Sequence, residues 1–212
     1  MRAHFGGSSR KSLVASRVSL DAAVKGADAN SASALSSELF FVADVLSTNI
    51  AVRRALTDPS RDGTAKAAFI SDLLGKKIGA LALGLVTELS SLRWSSPKDL
   101  VLVVEQLAIE AEASAANIAG ELDRVEDEIF TAATAFASSS ELRKALTSDA
   151  TNAKATLVAD ILKGASGSTV KLVSQMVNAW RGRSIESAFA DYQWALAARR
   201  NRVIAIVRIA AP

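Results

Sequence analysis

The chain repeats part of its own sequence at an offset of 90 residues. The segment ELFFVADVLSTNIAVRRALT over residues 38–57 aligns with EIFTAATAFASSSELRKALT over residues 128–147, and seven aligned positions are identical. After a two-residue deletion the match resumes at an offset of 88, where KAAFISDLL from Lys66 aligns with KATLVADIL from Lys154. A fixed period of this length indicates that one folded unit occurs twice in tandem.

The composition favours α-helices and excludes several classes of site. Half of the residues are apolar, and only three Pro and eleven Gly interrupt a chain rich in Ala, Leu and Val, as is typical of helical proteins. Cysteine is absent, which excludes disulfides, thiolate nucleophiles and zinc–thiolate sites. No apolar run reaches the about 18 residues of a membrane span, and no signal peptide is recognised. We therefore expect a cytoplasmic chain without direct membrane insertion.

Apolar residues spaced three and four apart predict an all-α fold of two tandem five- or six-helix bundles. We expect a flexible N-terminus over residues 1–8, a first bundle over 9–108 and a second over 98–200, with the long helix 97–117 shared between them. The apolar stripes are Leu35, Leu39, Val42 and Leu46; Leu122, Val125, Ile129 and Phe136; and Ile78, Leu81, Leu85, Leu89 and Leu92, matched with Val170, Val173, Val177 and Trp180.

Helix start signals recur at matched places in the two units. Asn49 and Ser139 are predicted N-caps of short helices, and Ser96 and Ser184 are predicted N-caps of long ones. The last residues, 201–212, differ from the rest because β-branched residues alternate there as in a strand. A single strand has no partner, so this short β-like tail is expected to be the start of a C-terminal domain that is missing.

Candidates for chemistry are few. His4 is the only histidine and stands near the N-terminus, and the carboxylates Glu105, Glu110 and Glu112 are expected on a solvated helix face. Without a helical histidine these acids do not form a di-metal site. The identical pair Arg53 and Arg143 fits either a functional role or a charge at a helix end. We predict no catalytic residue, no metal site and no cofactor.

The doubled pattern, with LRWSSPKDL closing the first copy and Trp180–Arg183 the second, resembles the helical region of the delta subunit of the rotary ATP synthase, called the oligomycin-sensitivity subunit in mitochondria. Two copies of that region resemble the actinobacterial members of the family. The first copy has Trp94–Ser95 where the family has Gly-Arg. The positions that match the family pattern are Leu56, Lys66, Leu146, Lys154, Gly182 and Arg183.

The resemblance implies a non-catalytic peripheral-stalk subunit that caps the catalytic head on the cytoplasmic face of the cell membrane. It implies that N-terminal helices of alpha subunits bind between the first and fifth helices of a bundle, and that a C-terminal domain binds the b subunit. The matching partner-binding positions are Leu13, Val14, Leu20, Leu85 and Leu89 in the first copy, and Val103, Leu107, Val173 and Val177 in the second.

Two other functions compete with this one. The first is a helical-repeat adaptor unrelated to ATP synthase, because tandem helical units commonly form binding surfaces. The second is a nucleic-acid-binding helical protein. It is suggested only by basic residues near the C-terminus, which are Arg199, Arg200, Arg202 and Arg208. The net charge of +3 and the lack of stacking aromatics argue against that second function, so we expect no nucleic-acid partner.

Overall fold

The computed structural model describes residues 5–147 and 151–200. Within these ranges the chain forms eleven α-helices and no strand, so the all-α prediction is confirmed for the described residues. His4 and the predicted β-like tail over 201–212 lie outside them. The helices are α1 (Gly7–Val24), α2 (Ala29–Thr48), α3 (Ile50–Thr57), α4 (Gly63–Leu74), α5 (Ala80–Ser91), α6 (Pro97–Ile118), α7 (Leu122–Ser138), α8 (Ser140–Thr147), α9 (Thr151–Ile161), α10 (Gly167–Asn178) and α11 (Ile185–Arg199).

Three of the four predicted helix caps are confirmed. The hydroxyl oxygens of Ser96, Ser139 and Ser184 accept hydrogen bonds from backbone N–H groups in the first turns of α6, α8 and α11. Asn49 also occupies the N-cap position of α3, where its carbonyl accepts a hydrogen bond of 3.1 Å from the N–H of Arg53. Its side chain makes no capping bond to α3, because the side-chain amide donates to the carbonyl of Val45, 2.9 Å away, at the end of α2.

The helix α6 lies at the centre of the fold. It is buried along almost its whole length from Leu100 to Ala116. It contacts three helices that precede it in the chain, α1, α2 and α3, and three that follow it, α7, α10 and α11. Its contact with α2 is the most extensive between any two described helices. Its bounds agree within one residue with the predicted shared helix. The division into bundles over 9–108 and 98–200 stays a prediction.

The central position of α6 overturns the expectation for its acidic residues. Glu105, Glu110 and Glu112 are buried, because helices cover α6 on all these faces. A buried carboxylate needs a compensating cation, and each of these has one from elsewhere in the chain. Arg17 of α1 lies 2.6 Å from Glu110, and Lys171 of α10 lies 2.6 Å from Glu112.

An identical glutamate anchors the fifth helix of each unit. Glu38 accepts a hydrogen bond of 2.9 Å from the backbone N–H of Gly79, the residue before α5. Glu128 accepts one of 2.9 Å from the backbone N–H of Ser166, the residue before α10. Negative charge at a helix N-terminus is favourable. The two contacts also place α5 and α10 at an offset of 87, which corrects the predicted 88 for this helix pair.

The corrected register matches the buried faces of the two helices. Residues 82, 85, 86 and 89 of α5 are buried, and so are residues 169, 172, 173 and 176 of α10. Leu81, which the apolar stripe placed in the core, is instead 51% exposed. The helix α5 is apolar on several faces, so spacing alone did not distinguish its buried face.

Glu128→Gln is expected to lower the free energy of unfolding at neutral pH by about 1.5–3 kcal/mol, because hydrogen bonds to the charged carboxylate are lost. Burial acts to raise the pKa of Glu128, but hydrogen bonds from Thr169, Ser166 and Arg124 outweigh it and lower the pKa from 4.5 to about 2. A depressed pKa stabilises the fold above pH 4.5, and this contribution is lost as the pH falls toward 2. Chemical denaturation of the wild type and of Glu128→Gln, from neutral pH down to acid pH, tests this prediction. If the difference in their free energies of unfolding does not change with pH, the low pKa assigned to Glu128 is contradicted.

Membrane-spanning character is weak in this fold. Among residues 5–147 and 151–200, no single helix is both long and apolar enough to cross a membrane. Only α2 and α3 taken together pass by length and composition, and they are bent by 103° at their junction. Most apolar side chains of α2 are buried within the fold.

Candidate functional site

Exposed apolar side chains lie on the neighbouring helices α1 and α5. Val14 and Val18 of α1 are 64% and 65% exposed, and Leu81 of α5 is 51% exposed. The two helices contact each other, and the hydroxyl of Ser19 donates to Glu88 over 2.7 Å. Leu81 lies two turns before Glu88 on the same face of α5, and Val14 and Val18 lie one turn apart on the outer face of α1.

Small exposed residues also lie on these two helices. Ala22 of α1 and Gly84 of α5 are exposed between the larger side chains. A Cβ atom added at Gly84 would meet no other atom within 4 Å. We call the surface formed by Val14, Val18, Ala22, Leu81 and Gly84 the α1–α5 groove.

Basic residues border the α1–α5 groove at both ends of the helices. Lys11 and Lys25 on α1 are exposed, and so are Lys76 and Lys77 just before α5. Two acidic residues also lie on these helices. Asp21 of α1 pairs with Arg199, and Glu88 of α5 accepts the hydrogen bond from Ser19. An apolar strip with a mainly basic border is suited to an amphipathic helix that carries acidic residues beside its apolar face.

The helices α6 and α10 of the second unit correspond to α1 and α5, and α2 forms hydrogen bonds to both of them. Ser33 near the start of α2 accepts, at its carbonyl oxygen, a hydrogen bond of 2.6 Å from Lys171 of α10. The Ser33 hydroxyl donates to Glu112 of α6 over 3.0 Å, and Ser168 of α10 donates to the same carboxylate over 2.7 Å. These hydrogen bonds link α2, α6 and α10.

The structure revises the predicted partner-binding residues. Val14 is exposed and Leu13 is partly buried. The other seven lie in the chain's own core, so a partner helix cannot touch them without opening the fold. They are Leu20, Leu85, Leu89, Val103, Leu107, Val173 and Val177. The binding site itself stays a prediction, and the residues of it that are exposed to a partner differ from those that the resemblance implied.

The residues of the family pattern mostly have structural roles. Leu56 and Leu146 are core residues. Lys66 is buried and its ammonium donates to the carbonyl of Ser90 over 3.3 Å, and burial lowers its pKa. The matched Lys154 is partly buried on α9. Gly182 has φ +76°, in the left-handed region that favours glycine.

Arg53 places its positive charge at a helix end, which is one of the two roles predicted for it from the sequence. Its guanidinium donates to the carbonyls of Leu46 and Ser47 at the end of α2, over 3.0 and 3.2 Å. A cation is favourable at this end of a helix because the last carbonyls lack partners. The matched Arg143 lies 3.6 Å from Glu186.

A buried polar cluster links four parts of the chain around Glu105. One oxygen of Glu105 accepts hydrogen bonds from Arg181 over 2.8 Å and from Arg183 over 2.7 Å. The hydroxyl of Tyr192 donates to the same oxygen over 3.4 Å. Arg181 also pairs with Asp44 of α2. The cluster thus joins α2, α6, α11 and the loop between α10 and α11.

The loop that carries these arginines has an unusual backbone. Arg181 has φ +50° and Gly182 has φ +76°, so two consecutive residues are left-handed. This conformation is costly for a residue with a Cβ atom. Ion pairs to Glu105 and Asp44 compensate for it by holding Arg181 in place. The sequence placed Arg181 only within the closing Trp180–Arg183 motif and predicted Glu105 on a solvated face, so it did not indicate that the two residues form an ion pair.

The ionisation behaviour of this cluster fits a structural role. Burial, aided by the nearby Glu105 carboxylate, raises the pKa of Tyr192 well above its ordinary value, so its hydroxyl stays a proton donor. Burial raises the pKa of Asp191 against the opposing charge of Arg183. Glu105 is held as the shared acceptor of two guanidinium groups. The cluster therefore supplies cross-links between helices.

A cleft of about 400 Å³ lies beside this cluster, between α1, α6 and α11. Its apolar walls include Leu13, Leu102 and Trp194. Its charged groups largely pair with each other or with residues behind them, as Arg17 does with Glu110 and Arg183 with Asp191. Within residues 5–147 and 151–200, no group of three His, Asp or Glu side chains is arranged to hold a metal ion.

Two of the four basic residues near the C-terminus also form ion pairs within the chain. Arg199 of α11 lies 2.5 Å from Asp21 of α1. Arg200 pairs with Asp123 and Glu126 of α7. The other two, Arg202 and Arg208, lie outside the described residues. The ion pairs of Arg199 and Arg200 weaken the argument for nucleic-acid binding.

The sequence of this chain is similar to those of known ATP synthase subunits. A sequence profile described as ATP synthase delta (OSCP) subunit matches residues 110–212. The chain is 41% identical over 209 residues to the ATP synthase subunit delta of Streptomyces coelicolor, which covers 97% of this chain and 76% of that protein. It is 40% identical over 196 residues to the protein of the same name from Salinispora arenicola, covering 91% and 72%. Against that of Frankia alni it is 37% identical over 214 residues, covering 97% and 77%.

These relatives are similar over nearly the whole chain, and the match includes both copies of the repeated segment. Such similarity excludes the alternative of an adaptor unrelated to ATP synthase. The described residues place buried charges in mutual ion pairs and leave an apolar groove open at the surface, which fits a binding subunit. The chain belongs to the ATP synthase delta (OSCP) subunit family, whose members are non-catalytic subunits of the ATP synthase peripheral stalk.

Proposed function

We propose that this chain holds the catalytic head of the ATP synthase by receiving the amphipathic N-terminal helix of an alpha subunit in the α1–α5 groove. The observation that carries this proposal is the exposure of Val14, Val18 and Leu81 along two adjacent helices. A helix with apolar residues at positions i, i+3, i+4 and i+7 would bury these side chains. The basic border of the groove supports acidic residues on the flanks of that helix.

A subunit that resists the torque of the rotor has to be stiff. The central α6 supports this role, because ion pairs fix it to α1 through Arg17 and to α10 through Lys171. A third set of pairs, from Arg181 and Arg183 to Glu105, fixes α6 to the loop before α11. Buried, hydrogen-bonded pairs of this kind specify one arrangement of helices.

Two further parts of the proposal rest on family membership. The chain contacts the b subunit of the peripheral stalk, and it lies on the cytoplasmic face of the cell membrane. No described surface is assigned to the b subunit.

Val18→Asp is expected to weaken binding of a synthetic alpha-subunit N-terminal peptide at least tenfold. Burial of a valine side chain contributes about 1.5–3 kcal/mol, and 1.4 kcal/mol corresponds to about a factor of ten in affinity. A buried aspartate adds a desolvation cost. Isothermal titration calorimetry with the full chain measures the change.

Phe130→Asp is the matched control for this experiment. Phe130 on α7 is 65% exposed, as is Val18, so both changes place one charge on an exposed apolar position. Binding to the Phe130 variant should equal wild-type binding, and the circular dichroism spectra of both variants should match that of the wild type. Equal binding by the Val18 variant and the wild type would show that the groove is not the site.

A further inference from the structure

We propose that the cleft between α1, α6 and α11 binds a small organic cation, in which an ammonium or guanidinium group is carried on an apolar body. The cleft has a volume of about 400 Å³, which lies within the range of pockets that hold small molecules. It uses Leu13 and Arg17 of α1, whereas the α1–α5 groove uses Val14 and Val18. The inference therefore goes beyond the proposed function and does not depend on it.

Apolar side chains from all three helices line the cleft and match the apolar body of such a ligand. They include Leu13 of α1, Leu102 of α6 and Trp194 of α11. Leu102 and Trp194 are partly exposed, so a ligand can bury more of their surface. An ion pair of 2.5 Å between Asp21 and Arg199 ties α1 to α11, the two helices that form the outer walls.

One acceptor of the cleft lacks a donor. Glu105 lines the cleft, and its oxygen Oε1 accepts hydrogen bonds from two guanidinium groups and a tyrosine hydroxyl. Its other oxygen, Oε2, is buried and has no hydrogen-bond partner among the described residues. A buried carboxylate oxygen without a donor is unfavourable. A donor on a ligand in the cleft would satisfy this oxygen, and a charged donor forms the stronger hydrogen bond.

Two further side chains favour a cationic donor over a neutral one. Asp191 lines the same cleft and is 23% exposed, and one of its oxygens accepts a long hydrogen bond of 3.3 Å from Arg183. Trp194 lies three residues later on the same face of α11, and tryptophan is the aromatic side chain that attracts cations most strongly. Two carboxylates and an indole ring thus border one cleft.

Arginines also line this cleft, and a count of charges alone would favour an anion. Their hydrogen bonds lead to the opposite conclusion. Arg17 donates to Glu110 through two of its nitrogens, over 2.9 and 2.6 Å, and Arg183 uses all three of its nitrogens in hydrogen bonds within the chain. Arg10 is exposed to solvent. The buried part of the cleft therefore offers an acceptor, at Glu105, to an incoming ligand.

Three probes of similar size and shape that differ in charge test this proposal. They are 2-phenylethylamine, which is a cation at neutral pH, 2-phenylethanol, which is neutral, and phenylacetate, which is an anion. Each is titrated into the full chain, and binding is followed by ligand-observed nuclear magnetic resonance. The amine is expected to bind with a dissociation constant of about 1 mM or below, and at least about tenfold more tightly than the other two probes.

Leu102→Trp is expected to weaken binding of the amine at least about tenfold, because the larger side chain fills part of the cleft. The matched control is Leu81→Trp, which makes the same change at an exposed position of α5 outside the cleft. The control should bind the amine as the wild type does. Glu105→Gln, where its circular dichroism spectrum shows a folded chain, should lose the preference for the amine over the alcohol.

Three results would overturn the inference. Absence of binding by the amine removes the site, and equal binding of the three probes or tighter binding of phenylacetate contradicts a cationic ligand. Unchanged binding of the amine by Leu102→Trp shows that the amine binds elsewhere. The proposed function is tested separately, by titration of the alpha-subunit peptide into Val18→Asp, so its failure and the failure of this inference are distinguishable.

Discussion

Glu105→Gln is expected to lower the free energy of unfolding by about 3–5 kcal/mol, which is a large part of the stability of a typical domain. The amide keeps the shape of the side chain but removes the charge that compensates two guanidinium groups. The side chains of Arg181 and Arg183 are only 6% and 13% exposed, so water cannot replace the carboxylate. Urea denaturation of both proteins at neutral pH measures the difference.

The control is Glu88→Gln, which changes the same type of residue at an exposed position. It should alter the free energy of unfolding by no more than about 0.5 kcal/mol. If Glu105→Gln is no more harmful than Glu88→Gln, the cluster around Glu105 does not cross-link the helices. A triple variant that combines Glu105→Gln with Arg181→Leu and Arg183→Leu removes the uncompensated charges and should recover part of the loss.

The acidic residues of α6, which were predicted to be exposed and are buried, show which features of this fold a single sequence cannot predict. Glu105, Glu110 and Glu112 lie within an otherwise Ala-, Val- and Leu-rich helix, which was itself a sign of burial. Their cations stand 76, 93 and 59 residues away along the chain. Helical spacing describes one element at a time, and these pairs depend on how separate elements meet.

The repeat and the helix order were predictable because they depend on local signals. Serine caps at matched places and an identical glutamate in each unit fixed where helices begin. The partner-binding site between the first and fifth helices stays a prediction that rests on resemblance to the family. The sequence did not show which residues of α5 are exposed, because α5 is apolar on several sides and Leu81, Leu85 and Leu89 all fit a stripe.

The contacts of α2 with α6 and α10 could not be predicted from the repeat. Within the described residues, identical residues in the two copies meet different neighbours. Phe40 and Phe130 illustrate this point, since they occupy the same position of the repeated segment. Phe40 is 1% exposed and Phe130 is 65% exposed.

Phe40→Ala is therefore expected to lower the free energy of unfolding by about 3–5 kcal/mol, as is typical for a phenylalanine removed from a core. Phe130→Ala should change it by no more than about 0.5 kcal/mol. The same substitution at matched positions cancels differences in helix propensity and in the unfolded chain. The difference that remains between the two variants reflects how the Phe40 side chain of α2 packs against neighbouring helices. Chemical denaturation of the two variants beside the wild type measures both effects.

If Phe40→Ala and Phe130→Ala lower the free energy of unfolding by similar amounts, Phe130 of α7 is buried in solution as Phe40 of α2 is. The two units would then not differ in the burial of this position. The expected inequality has a functional consequence. On α7 the face that carries Phe130 also carries three acidic residues, Asp123, Glu126 and Asp127. On α1 the face that carries Val14 and Val18 has basic residues at both ends, Lys11 and Lys25. The two faces therefore differ in the sign of their charge, and an acidic partner helix of the kind proposed above is favoured on α1 and disfavoured on α7.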